Sequence, residues 1–370
     1  MFTFNLSSHE LFEERRKQFI AWGIPKATVQ SVEARVVDTW ANAPGGWTYE
    51  WVQEAQKAKA KKDWMLAASL FGAARFPCLA TPDRQAALEE QAHCFINASR
   101  DFSGRFDRQM VACKVAGSIV SIPIHVYAPV GAASLPTVLL SGGVDTGKME
   151  LHRLALMLSK IGNLRVVAMD MPGTGESNTP LTKDADVIYR TVLDQFRGQG
   201  KVGILGVSFG GHWAAKLALR CEVDAAVNFG GPIGVTAIDG AYVSGLPNGM
   251  PGIIANAMRL KAYPDETGAG EMLRDFGLNG QGLLDRPDCA RLLAVNGSAD
   301  AYIPIADVEV FRRYPSAEVW LLRGLSHCAA EKIMWVAPGI ITWLRKALHG
   351  DSVKNRLLHS LALKVLPERG

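Results

Sequence analysis

The sequence predicts an α/β fold, with a mostly parallel central sheet flanked by helices and a helical domain in front of it. From about residue 110 onwards, short apolar runs of strand length alternate with stretches of helical periodicity, which is the pattern of βα units. Before that point strand patterns are absent and apolar residues recur at helical spacing. A chain of 370 residues is long enough for both parts.

The N-terminal part, residues 1–107, is predicted to be a helical domain of four or five helices. Ser7 and Glu10 have the spacing of a capping box, which marks the start of the first helix. A Thr-Pro pair signals the start of another helix near 82–98. One apolar helical face is predicted from the spacing of Val29, Val32, Val36 and Trp40.

Residues 108–370 are predicted to form the sheet domain. Continuous apolar runs of this kind are typical of parallel strands that are buried on both faces. The predicted strands are 137–140, 165–169, 201–206, 224–229, 292–295 and 318–322. Between the fourth and fifth of them, residues 236–285 are rich in Gly, Met and Asn and show only fragments of helix pattern, which predicts a lid-like insertion beside the site.

Composition and charge exclude several function classes. The formal net charge is only +4, and the one dense basic run, 57–62, is interspersed with alanines and so resembles a solvated helix face rather than a nucleic-acid patch. No apolar run approaches the roughly 18 residues of a membrane-spanning helix, and the N-terminus lacks a signal-peptide pattern. We therefore expect a cytoplasmic protein with no nucleic-acid or membrane partner.

The six cysteines are expected to be reduced thiols. They lie far apart, with no C-x-x-C pair and no metal-like cluster with histidine. The sequence accordingly predicts no metal and no cofactor. It leaves the oligomeric state open, a homodimer included.

A serine motif points to nucleophilic catalysis. Gly206-Val207-Ser208-Phe209-Gly210 follows a predicted strand and precedes a helical segment, which is the context of a nucleophile elbow. Glycines are needed on both sides because the strand turns sharply into the helix and a Cβ there would collide with the backbone. Ser208 is the predicted nucleophile.

An acid and a base follow the last two predicted strands. Asp300 comes after the run 292–295, and His327 comes after 318–322. The chain order Ser, Asp, His and the position of all three at carboxyl ends of strands fit an acyl-transfer triad. His327 would take the proton of Ser208, and Asp300 would fix the histidine tautomer. Two other acids, Asp307 and Asp239, compete with Asp300 for this role.

Acyl transfer also needs donors for the developing oxyanion. The backbone N–H of Phe209 is the first expected donor. The second is expected from the loop after strand 137–140, Ser141-Gly142-Gly143-Val144-Asp145, with Val144 ahead of Gly143. The glycines of 170–177 do not form a phosphate loop, since the Gly-Lys-Ser/Thr ending is missing.

The motifs resemble those of the α/β-hydrolase superfamily over about 110–347. In chain order they are strand–D-x-P-G-x-G-x-S, strand–G-x-S-x-G–helix, strand–N-G-x-x-D and strand–G-x-x-H. The helical N-terminus, the Gly-Gly-Val-Asp loop and Gly230-Gly231-Pro232-Ile233 look like a narrower group. That group includes FrsA-like esterases, fungal polyketide-shortening hydrolases and 2,6-dihydroxypseudooxynicotine hydrolase.

The resemblance implies that the N-terminal domain caps the catalytic domain, and it places the nucleophile, acid and base on Ser208, Asp300 and His327. It further implies hydrolysis of an ester or of a carbon–carbon bond next to a ketone. We expect a small-molecule ester, thioester or β-diketone-like substrate. The Trp, Phe and Met residues of 1–107 and 236–285 suit a hydrophobic, aromatic or polyketide-like one, although a helical core needs the same residues. Two alternatives stay open: an acyltransferase or cyclase on the same triad, and a non-catalytic binding protein that kept the fold.

Overall fold

The computed structural model describes residues 1–131, 134–235 and 238–369. In its N-terminal part the described residues form five α-helices, which confirms the predicted helical character. Ser7 caps the first of them, because its Oγ accepts a hydrogen bond from the Glu10 amide at 3.3 Å. The helices are α1 (Ser8–Ala21), α2 (Lys26–Glu33), α3 (Trp47–Ala60), α4 (Trp64–Ala74) and α5 (Pro82–Ala98).

The prediction that the second helix extends to Trp40 is wrong. Helix α2 ends at Glu33, and Val36 and Trp40 lie beyond it. The Asp38 carboxylate accepts hydrogen bonds from the amides of Trp40 and Ala41, each at 2.6 Å. A short acidic side chain that bonds nearby amides offers the backbone a turn in place of a helix.

The sheet is eight-stranded in the order β1-β2-β4-β3-β5-β6-β7-β8. Strand β2 runs antiparallel to both of its neighbours, and all other pairs are parallel. All six predicted buried strands are confirmed within a few residues. The strands are β1 (Arg105–Val115), β2 (Ser118–Ala128), β3 (Thr137–Ser141), β4 (Arg165–Met169), β5 (Val202–Val207), β6 (Ala225–Phe229), β7 (Arg291–Gly297) and β8 (Ala317–Leu322).

Helices cover both faces of this sheet. Alternate residues of the parallel strands enter two different apolar clusters, as the period of two requires: Val138 and Leu140 lie in one, Leu139 in the other. The helices are α6 (His152–Lys160), α7 (Asp186–Asp194), α8 (Phe209–Leu219), α9 (Gly240–Ser244), α10 (Met250–Ala257), α11 (Glu266–Arg274), α12 (Ala306–Glu309), α13 (Ile333–His349) and α14 (Val353–Leu363).

The insertion predicted at 236–285 contains helices α9, α10 and α11 between β6 and β7. Its first two residues, 236 and 237, lie outside the described residues. None of the helices in the described ranges combines the length and the apolar character needed to cross a membrane.

A buried ion pair joins the helical part to the sheet part. Arg75, just after α4, contacts Glu150 at 2.6 Å, and the two side chains are 4% and 2% exposed. Gln91 of α5 also donates to Glu150 at 2.6 Å, and the Glu150 carboxylate accepts from the Gly147 amide at 2.9 Å. Because Arg75 at the end of α4 and Gln91 of α5 both bond one carboxylate of the sheet part, this contact links the two parts.

Replacement of Glu150 by alanine is expected to lower the free energy of unfolding by about 3–5 kcal/mol, because it leaves the Arg75 charge buried without its partner. Urea denaturation at neutral pH measures the change. Glu368→Ala is the matched control: Glu368 pairs with Arg323, but both side chains are 74% exposed, so that loss should be small. Equal effects of the two substitutions would contradict the prediction.

Candidate active site

A strained serine lies where β5 turns into α8. Ser208 has φ 55° and ψ −132°, a backbone conformation that residues other than glycine rarely adopt. Two backbone hydrogen bonds of 2.8 Å hold it there: its amide donates to the Phe229 carbonyl, and its carbonyl accepts from the Gly211 amide. The serine is thus fixed at the carboxyl end of β5.

The glycines around Ser208 are required by the close approach of main chain to main chain. A Cβ on Gly206 would lie 1.9 Å from the Gly210 carbonyl oxygen, and one on Gly210 would lie 2.5 Å from that of Gly142. A Cβ on Gly143 would lie 2.9 Å from Ser208 Oγ. The structure therefore places the Gly142-Gly143 loop directly against the serine.

The serine, the histidine and one acid form a continuous hydrogen-bond chain. Ser208 Oγ lies 2.9 Å from His327 Nε2, and His327 Nδ1 lies 2.7 Å from Asp300 Oδ2. Asp300 also accepts from Asn296 Nδ2 and from the Tyr302 amide, each at 2.7 Å. Since the carboxylate accepts three hydrogen bonds, its orientation toward the imidazole is fixed.

Asn296 ties the acid loop to the histidine loop, a role that the sequence reasoning missed. Besides its bond to Asp300, its Oδ1 accepts from the Cys328 amide at 3.0 Å. Cys328 has φ 53°, and its thiol donates to the Phe229 carbonyl at 3.2 Å. The N-G-x-x-D motif contains Asn296, so a signal was present in the sequence.

The surroundings shift the pKa of both ionisable partners. Burial lowers the pKa of His327, but the adjoining Cys328 sulfur and the hydrogen bond to Asp300 outweigh it, so the net pKa is raised above 6.5. Burial raises the pKa of Asp300, but the hydrogen bond and charge of His327 outweigh it and the net pKa is lowered. The pair therefore favours an ionised carboxylate beside an imidazolium, the charge state that His327 reaches when it accepts a proton.

The two competing acids lie in other hydrogen-bond networks. Asp307 accepts from the amides of Ile233, Gly234 and Val235 at 2.7, 3.0 and 3.0 Å, and so holds the segment after β6. Asp239 caps α9 by accepting from the Tyr242 amide. Of the three acids, the structure brings Asp300 to the histidine.

The two expected oxyanion residues beside Gly143 are buried. Phe209 is the first residue of α8, and its ring packs against that of Phe276 at 5.7 Å. The Val144 side chain is 5% exposed and lines a cavity together with Cys78 and Gly173. The loop after β4 thus flanks this cavity.

Three residues of α1 reach the same site, and sequence reasoning missed them. The Arg15 guanidinium lies 2.8 Å from the Asp145 carboxylate, and Gln18 Nε2 donates to Thr146 Oγ1 at 3.1 Å. Glu14 accepts from the Tyr302 hydroxyl. Nothing in the sequence pattern of a polar helix face indicates which of its residues meets a site more than a hundred residues away.

His212, beside the elbow, is bound to the backbone of the segment after β6. Its Nδ1 donates to the Pro232 carbonyl at 3.0 Å, and burial lowers its pKa to about 3. Within residues 1–131, 134–235 and 238–369, the His, Cys, Asp and Glu side chains form no group of three that could hold a metal ion.

Comparison with known families identifies the group. The family model described as "Esterase FrsA-like" matches residues 26–346. The chain belongs to this family. Curated relatives include Esterase FrsA of Photobacterium profundum, 26% identical over 307 residues that span 74% of this chain and 72% of that protein. Esterase FrsA of Escherichia coli O1:K1 is 28% identical over 329 residues, 79% and 78% of the two chains.

Solved structures agree on the fold. AbyA5 superposes with a TM-score of 0.79 at 18% identity, over 95% of this chain and 99% of the other. The 2,6-dihydroxy-pseudo-oxynicotine hydrolase superposes with a TM-score of 0.67 at 19% identity, over 90% and 95%. The protein is thus an FrsA-like serine hydrolase of the α/β-hydrolase fold with a helical N-terminal region.

The pKa of His327 is expected to fall by about 1–3 in Asp300→Asn, because the substitution removes the carboxylate that favours the imidazolium. Histidine ¹⁵N NMR titration measures it. In the control Asp239→Asn, whose side chain caps α9, the titration should match that of the unmodified protein. An unchanged His327 titration in Asp300→Asn would contradict the pairing.

Proposed function

We propose that this FrsA-like protein hydrolyses an ester, a thioester or a ketone-adjacent carbon–carbon bond through a triad of Ser208, His327 and Asp300. The observation that carries the proposal is the unbroken hydrogen-bond chain from Ser208 Oγ through His327 to Asp300. Membership of an esterase family supports the same reaction class.

In the first step, Ser208 Oγ attacks the substrate carbonyl carbon while its proton passes to His327 Nε2, which lies 2.9 Å away. The Nδ1–H bond to Asp300 holds the ring in the tautomer that leaves Nε2 free to accept and stabilises the imidazolium. His327 then returns the proton to the leaving oxygen, sulfur or, in a retro-Claisen cleavage, enolate carbon. Water releases the acyl group in the second half of the cycle.

The oxyanion hole in this proposal consists of the Phe209 amide and an amide of the Gly143-Val144 segment. Gly143 lies against the serine, since a Cβ there would come within 3.2 Å of the Phe209 amide nitrogen. Absence of a side chain leaves room for the substrate carbonyl between the two backbone segments. A donor of this kind is worth about 10²–10³-fold in rate.

The substrate is proposed to be hydrophobic and without a carboxylate, such as an aromatic or polyketide-like acyl or diketone compound. Residues 1–107 would act as its cap and 236–285 as its lid. In the hydrogen-bond networks around the proposed triad, three carboxylates (Glu14, Asp145 and Asp300) face two cationic groups, Arg15 and His327. Like charges repel strongly where water is scarce, so a substrate carboxylate would be disfavoured.

Ser208→Ala is expected to abolish labelling by a fluorophosphonate probe and to lower kcat by about 10⁴-fold or more on an aryl ester, because no other group replaces the nucleophile. Intact-protein mass spectrometry and ester turnover measure the two effects. Ser298→Ala is the control, since Ser298 accepts a hydrogen bond from the Gly324 amide and lies outside the chain to Asp300. The triad would be contradicted if the folded Ser208→Ala variant were labelled, or if the unmodified protein were not labelled.

A panel of aryl esters, acyl thioesters and β-diketones, with products detected by mass, tests which bond is cleaved. Added alcohols and amines test the acceptor. We expect the free acid as the main product. A product that carries the added alcohol or amine would assign the protein to acyl transfer instead.

A further inference from the structure

We propose that Arg15 of helix α1 is a positioning residue of the acyl-transfer site, which fixes the oxyanion loop (residues 141–146) through Asp145. The inference rests on the proposed function and extends it. It makes the N-terminal region part of the catalytic apparatus rather than only a cover over it.

The first support is the ion pair that binds Arg15 to the loop. Its Nη2 lies 2.8 Å from Asp145 Oδ2, and the two side chains are 15% and 8% exposed. Within α1, Nη1 donates to Gln18 Oε1 at 3.0 Å. The central carbon of the Arg15 guanidinium, Cζ, lies over the Phe76 ring, 5.4 Å from the ring centroid. A planar cation held by several partners defines the place of the carboxylate that it binds.

The second support is that α1 binds two successive residues of the loop. Gln18 Nε2 donates to Thr146 Oγ1 at 3.1 Å, and Thr146 Oγ1 donates to Asp145 Oδ1 at 3.0 Å. Asp145 is two residues from Gly143, which lies against Ser208. A loop attached so near to its reactive end transmits a displacement to the oxyanion donors, and a misplacement of about 1 Å costs on the order of 10²-fold in rate.

The third support is that the same helix also binds the acid loop. Glu14 accepts from the Tyr302 hydroxyl and lies 3.3 Å from Arg15. Tyr302 donates its amide to Asp300, and its ring centroid lies 5.2 Å from that of His327. Helix α1 therefore spans the site, from the oxyanion loop on one side to the acid and the base on the other.

Electrostatics makes Arg15 the central residue of this span. The guanidinium contacts two carboxylates, those of Glu14 and Asp145. Without it the two negative charges repel each other in a half-buried site. The loop would then move away from α1 and carry the Gly143-Val144 amides out of position.

The test compares Arg15→Ala with Arg16→Ala in the full chain. Arg16 is the matched control, because it follows Arg15 directly but bonds Glu33 within the N-terminal part. The measurements are kcat and KM on a small aryl ester, the rate of fluorophosphonate labelling, and the inhibition constant of an arylboronate that mimics the tetrahedral intermediate. Thermal melts followed by circular dichroism establish that each variant is folded.

Arg15→Ala is expected to lower kcat and the labelling rate by about 10²–10³-fold, the effect of a displaced oxyanion donor, with KM changed less than about threefold. Boronate affinity should fall in the same proportion as kcat/KM. Guanidinium chloride, at concentrations well below those that unfold the chain, should restore part of the activity of Arg15→Ala and none of that of Ser208→Ala. Arg16→Ala should match the unmodified protein.

A second route holds if Arg15→Ala does not fold. Arg15→Lys and Asp145→Asn weaken the same contact while retaining a side chain of similar size, since an ammonium cannot form the planar fork of a guanidinium. Each should lower kcat without raising KM. The double variant should lose no more activity than the more impaired of the two single variants, because both substitutions act on one interaction.

Wild-type kcat and boronate affinity in a folded Arg15→Ala variant would overturn the proposal. So would equal losses in Arg15→Ala and Arg16→Ala without rescue by guanidinium, which would assign Arg15 to general stability. Absence of fluorophosphonate labelling in the unmodified protein would overturn the proposed function, and this inference with it.

Discussion

The geometry around Ser208 depends on main chain packing against main chain at distances that no Cβ would permit. Gly206 and Gly210 approach each other across the turn from β5 to α8, Gly142 of the loop after β3 lies against Gly210, and Gly143 lies against the serine itself. This packing forces Ser208 to a positive φ. Such strain persists only where the surroundings over-determine it, and here the rigid parallel strands β3, β5 and β6 supply that constraint.

Parallel strands also bring Asp300 and His327 to the same edge of the sheet, but strand order alone does not orient their side chains. Asn296 at the end of β7 does so, because one amide side chain donates to Asp300 and accepts from the backbone of Cys328. Asn296 therefore links the two loops after β7 and β8, in addition to the His327–Asp300 hydrogen bond and the bond from the Gly324 amide to Ser298. The bond to the Cys328 amide lies where the histidine loop has positive φ, at Cys328 and Ala329.

The sequence was sufficient for features that depend on local pattern. The buried strands were found because burial on both faces produces continuous apolar runs. Ser208, Asp300 and His327 were predicted as site residues because each follows such a run, and the structure brings their side chains into one hydrogen-bond chain. The predicted length of α2 was wrong. The Asp38 side chain bonds two nearby amides, and the spacing of apolar residues does not show that a side chain competes with the helix for these backbone groups. Glu14, Arg15 and Gln18 were missed because their partners are distant in sequence.

Those three residues attach the N-terminal helices to the sheet domain by polar contacts. An apolar interface alone would permit sliding, since apolar contact has little directional preference. Here the contacts are directional: Arg15 meets Asp145, Gln18 meets Thr146, and Glu14 meets Tyr302. A further buried pair, Arg75 with Glu150, fixes the distance between the two parts. The helical region is therefore held in register with the loops on either side of Ser208, so changes in its packing reach the site directly.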